Sequence, residues 1–87
     1  MNIFDFTKNY CNLNKFAGCK QLTWDVVSNL EDDLNDVIEG EYKLEDVVMA
    51  TEYRIDTILE IMKEDLDDFK YLADLKNGLE TLLNENN

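Results

Sequence analysis

The sequence predicts an all-α fold, a compact bundle of four to five helices. Apolar residues recur three and four apart, and no stretch alternates with period two. Proline is absent, and Gly18 and Gly40, two of the three glycines, read as punctuation. The 87 residues make one domain, 1–87, near the small end of what folds alone. Hydrophobic residues form 45% of the chain, enough for a core and too many for wholesale disorder.

Ile3, Phe6, Tyr10 and Leu13, with Phe16 close behind, predict a first helix of two to three turns ending before Gly18. Thr23 is the expected N-cap of the second, with Asp25 near its positive end. Its stripe is Trp24, Val27, Leu30, Leu34, Val37 and Ile38, and Gly40 supplies a left-handed stop. The stripe resumes at Leu44, Val47, Val48, Thr51, Ile55, Ile58, Leu59 and Met62. Leu66, Phe69, Leu72, Leu75, Leu79, Leu82 and Leu83 continue it, with a break in 64–68 where an Asp caps a new helix. Gly78 either ends that last helix or lies inside it at a cost of about 1 kcal/mol. The tail 84–87 should fray. Phe4, Phe6, Tyr10, Phe16, Trp24 and Phe69 are assigned to the core, and Tyr42, Tyr53 and Tyr71 to the surface.

Charge is unevenly placed. Positions 1–20 hold Lys8, Lys15 and Lys20 against Asp5, while 21–87 hold 19 acids against five bases, for a net charge of −12. The basic N-terminal segment is expected to cover one end of the bundle. The surface as a whole would repel bare nucleic acid and anionic lipid. The N-terminal stretch has no basic n-region followed by an apolar run, so it does not read as a signal peptide. Apolar runs are too short for a membrane span. Cys11 and Cys19 read as reduced thiols, one in the core and one at the surface, in a cytoplasmic protein.

Catalysis finds no support. Histidine is absent and Ser28 is the only serine, which removes Ser–His and Cys–His nucleophilic pairs. The cysteines lack C-x-x-C spacing, so no metal set or cofactor is expected. Segments 29–40 and 65–78 look superficially like calcium loops but lack glycine at the sixth position, with Leu34 and Leu66 interrupting the ligands. The expectation is a non-enzymatic protein that acts by contact.

Residues 44–62, LEDVVMATEYRIDTILEIM, resemble the helix-turn-helix of bacterial and phage repressors. The resemblance implies that Leu44, Val47 and Val48 are core positions of one helix. Ile58 with Ile61 or Met62 would be those of the next, with a tight turn at Glu52. It also implies a transcription regulator, but the recognition positions offer Asp56, Thr57 and Glu60, with only Arg54 and Lys63 to meet phosphates. If 44–64 is instead one helix, Glu52, Asp56, Glu60 and Glu64 stand about 6 Å apart on one face. Glu31, Asp32, Asp33, Asp36 and Glu39 precede them without a base. These nine acids, with Tyr53 beside the Glu52–Asp56 edge, are the candidate partner-binding residues; ordinary solvated surface is the bland alternative.

In size and charge the chain resembles small phage-encoded inhibitors of host defence, the anti-CRISPR and DNA-mimic type. Nuclease immunity proteins and antitoxins are similar in both. The likeness implies stoichiometric blocking of a basic nucleic-acid-binding protein, such as a defence nuclease or CRISPR effector, and transfers no residue roles. A homodimer is the further alternative, if the apolar stripes are not all buried within one chain.

Overall fold

A computed structural model of the chain describes residues 2–11, 20–61 and 66–86. Among these the chain forms four helices and no strand: α1 (Ile3–Tyr10), α2 (Gln21–Ile38), α3 (Leu44–Ile61) and α4 (Leu66–Glu85). The all-α bundle expected from periodicity is present.

The core is built where four apolar stripes meet. Phe6 from α1, Val27, Leu30 and Leu34 from α2, Val48 and Ile55 from α3, and Leu72, Leu75, Leu79 and Leu82 from α4 are almost wholly buried. Each such aliphatic or aromatic side chain contributes about 1.5–3 kcal/mol on burial. α3 packs between α2 and α4, and α1 packs against both α4 and α2. The three long helices alternate in direction. Asp56 and Glu52 of α3 face Lys76 and Glu80 of α4 in descending against ascending order. Residues 22–29 of α2 share a groove with 53–58 of α3.

The ends of the helices explain much of their placement. Asn2 caps α1 by accepting the Asp5 N–H at 2.8 Å. At the other end of α2, Gly40 has φ +88°. Its N–H donates to the Val37 carbonyl at 3.1 Å, and the Glu41 N–H donates to Asp36 at 2.9 Å. That is a Schellman stop, and it needs the left-handed residue that glycine supplies.

α2 starts differently from the expectation. It begins at Gln21, with Lys20 at the N-cap position and no side-chain cap from that residue. Thr23 lies inside the first turn and is buried. Its hydroxyl donates to Asp68 Oδ2 at 2.8 Å, and the Lys20 N–H donates to the same oxygen at 3.0 Å. Asp68, itself buried on α4, therefore does from a neighbouring helix what the acid of a capping box does locally.

Several further expectations are corrected. Starting α2 at Gln21 turns its buried face to Thr23, Val26, Val27, Leu30 and Leu34, leaving Trp24 and Ile38 exposed. Phe4 and Phe69 are also exposed rather than in the core. Tyr71 is half-buried, not exposed, because its hydroxyl donates to the Tyr10 carbonyl where α1 ends. α1 runs for about two turns and ends before Gly18, as expected, and packs against α4 and α2. α4 continues through Asn84 and Glu85. Leu13, Phe16, Cys19, Met62, Glu64 and Asp65 lie outside the described residues.

Gly78 lies inside α4, and its reason is contact. A Cβ there would sit 2.8 Å from Cζ of Tyr10. That ring stacks on buried Phe6 at 4.9 Å between centroids, and the Tyr10 carbonyl is held by Tyr71. The tight approach of α1 to α4 thus requires a residue without a side chain. Gly78→Ala should gain up to about 1 kcal/mol of helix propensity and lose about 1–3 kcal/mol to overpacking, for a net lowering of Tm. In a Tyr10→Leu background the same change should raise Tm. Thermal unfolding of the four variants checks this, and a higher Tm for Gly78→Ala alone would contradict it.

Candidate protein-binding surfaces

α3 runs unbroken from Leu44 to Ile61, so Glu52 is helical and the tight turn implied by the helix-turn-helix resemblance does not form there. The candidate acids consequently fall on defined flanks of two continuous helices. A step of one residue turns the helix by about 100°, and steps of four and seven return to nearly the same side.

On α2, Asp25, Asn29, Asp32 and Asp36 follow at spacings of four, three and four on the side away from the core. Asp32 is exposed and Asp36 half-buried, and Glu39 is exposed at the C-cap. Asp33, seven residues beyond Val26, is half-buried on the flank toward α3. Glu31 lies on the opposite flank, toward α1. Its charge adds to burial in pushing the Cys11 thiol up to about 12, burial being the larger cause. Cys11 is thus an inert thiol of the core at neutral pH. The five candidate acids of α2 and its C-cap are therefore not one surface, and Asp32 and Glu39 are the exposed ones among them.

The α3 candidates divide further. Glu52 and Asp56 turn toward α4, where Asp56 forms a 2.8 Å ion pair with Lys76. Lys76 has its pKa raised chiefly by that hydrogen bond. Glu52 has its own raised by partial burial, then by Glu80, with Lys76 opposing and Asp56 adding. Glu60 is exposed. Glu64 lies outside the described residues. Tyr53 is 75% exposed, but it faces α2 across a groove rather than joining the Glu52–Asp56 edge. α3 separates the acids of α2 from that edge, so the eight described carboxylates do not form a single face.

The largest acidic concentration is instead the hairpin joining α2 to α3. Residues 31–46 carry eight acids and one base, Lys43. Glu45 and Asp46 occupy the first turn of α3, where the helix dipole favours them. Asp36 and Glu39 occupy the last turn and C-cap of α2, where it opposes them, and no base lies in that turn. Glu41 and the Glu45–Asp46 pair, which a search confined to two helix faces omits, belong to this end.

A second feature was also missed from the periodicity. Leu22, Asp25, Val26 and Asn29 of α2 and Tyr53, Arg54, Thr57 and Ile58 of α3 line a groove of about 300 Å³. Leu22 is 47% exposed and Ile61, on the same flank of α3, 67%. The signal was Leu22–Val26–Asn29, a secondary stripe obscured by counting Trp24 as inward.

Segments 29–38 and 66–78, which resembled calcium loops, are helical. Among the described residues no group of three or more potential ligands could hold a metal ion. No described helix is long and apolar enough to cross a membrane. No family model, curated protein or solved structure matches the chain.

Because Glu52 is disfavoured in its charged form, its folded pKa exceeds its unfolded one, and its ionisation weakens the fold as pH rises through that range. Glu52→Gln should stabilise the protein by a few tenths of a kcal/mol at pH 7, and the gain should vanish near pH 3.5. Urea unfolding at the two pH values tests this. A loss of stability at pH 7 would contradict the assignment.

Proposed function

We propose that this is a small, non-enzymatic acidic inhibitor that acts in the cytoplasm. In this reading it blocks a basic nucleic-acid-binding protein by stoichiometric contact, in the manner of phage-encoded anti-defence proteins of the anti-CRISPR or DNA-mimic type. The observation that supports it is the acidic hairpin. Eight carboxylates against one lysine lie over residues 31–46. Asp36 and Glu39 stand at the end of α2 where the helix dipole opposes acids.

A basic groove that binds phosphates would meet these carboxylates with complementary potential. Such encounters are fast and weaken steeply with salt. The contact surface in this reading is Asp32, Asp36 and Glu39 with Glu41, Glu45 and Asp46. The Glu52–Asp56 edge, already paired to Lys76, is peripheral to it.

Bacterial hosts defended by an RNA-guided nuclease or a restriction nuclease provide the test. Expression of the wild-type chain should raise phage plating on a defended host and leave an undefended one unchanged. Asp32→Lys, Asp36→Lys and Glu39→Lys together should abolish the effect. Equal protection by the charge-reversed variant, or none by wild type on any defended host, would contradict the proposal.

A further inference from the structure

We infer that the seam between α2 and α3 is a docking groove for a basic amphipathic helix of the partner protein; this rests on the preceding reading that the partner is basic. The groove offers an apolar floor and wall of Leu22, Val26, Tyr53 and Ile58. Tyr53 is 75% exposed and Leu22 47%, above a floor of buried Val26 and Ile58, so apolar surface stands open between two packed helices. Both helices are continuous elements of 18 residues. At a rise of 1.5 Å per residue, the lining residues 22–29 of α2 span about 10 Å, room for about two turns of a third helix.

Charge selects the occupant. Asp25 lines the groove, and Asp32 and Asp36 continue from it as a ridge along α2, at spacings of seven and four, past the groove's end at Asn29. None of the three makes an ion pair among the described residues; Asp25 accepts only the Gln21 amide, at 2.8 Å. Successive members of the ridge stand about 10 and 6 Å apart along the axis, the spacing at which a facing helix presents lysines or arginines at i, i+7 and i+11. The complementary ligand therefore has apolar side chains at i, i+3 or i+4, and i+7 for the groove, flanked by basic ones for the ridge. A second copy of this chain is the wrong complement. It would bring another such ridge, on a chain of net charge −12, against the first. Arg54 is the only cation that lines the groove.

Two synthetic 18-residue peptides of identical leucine and lysine composition test the inference, one with leucines on a single helical face and one scrambled. Calorimetry with the whole protein should show the amphipathic peptide binding at least about tenfold more tightly than its isomer. Amide shifts should cluster on 22–29 and 53–58. Leu22→Gln with Tyr53→Ser, both at exposed positions, should erase the preference while leaving salt-sensitive binding of both peptides; circular dichroism verifies the fold. Equal affinity for the two peptides overturns the groove and leaves the basic-partner reading standing. Binding of neither at low salt overturns both. A free protein that sediments as a dimer protected at the groove would identify a second copy as the occupant and overturn the inference.

Discussion

Asp68 accepts two hydrogen bonds on one carboxylate oxygen, and the position of α2 follows from them. A carboxylate taken out of water is costly unless hydrogen bonds replace its hydration. Here the Lys20 N–H and the Thr23 hydroxyl do so. In return, the start of α2 acquires an acceptor and a negative charge at its positive end. Among the described residues Asp68 is the only buried carboxyl side chain, and no buried side-chain N or O lacks a partner. The bond ties residue 68 to residues 20 and 23, across the chain, and sets the rotation of α2. That rotation decides which residues enter the core and which line the seam with α3.

The opposite end of the bundle follows another logic. There the Schellman stop at Gly40 satisfies the backbone of α2 while the side chains around it are acids. In that motif a hydrophobic contact commonly accompanies the two hydrogen bonds; here Asp36 and Glu41 occupy the positions that would make it. A core of leucines and valines supplies the stability that this end gives up. Stability and charge are thus spatially separated: apolar stripes and Asp68 hold the helices, and the hairpin carries an electrostatic surface that the free protein does not neutralise.

The fold class was legible because three long stripes repeat at helical spacing, and Gly40 marked its turn without ambiguity. The start of α2 was not, since Thr23 has the chemistry of an N-cap and only a residue 45 positions away reveals its other use. Missing that contact rotated the expected face and sent Trp24 and Ile38 inward. Gly78 was ambiguous for a similar reason: the ring of Tyr10 that requires it arrives from another helix. The candidate carboxylates were identified one helix at a time. Sequence spacing locates each on its own helix, but only the packing of α3 between α2 and α4 shows that Glu52 and Asp56 face Lys76 while Asp32 is exposed on α2.

The claim that the α2 carboxylates are unrelieved in the free protein underlies both the hairpin surface and the groove. The salt dependence of stability measures it directly. Unfolding should be followed between low and high sodium chloride for wild type and for Asp32→Asn, Asp36→Asn and Glu39→Gln combined. Screening acts on exposed charge over about 10 Å at 0.1 M salt, so wild-type Tm should climb as salt is added. The neutralised variant should start higher and respond less. A variant that is less stable than wild type at low salt, with an unchanged salt response, would show those charges to be satisfied within the fold and would contradict the account.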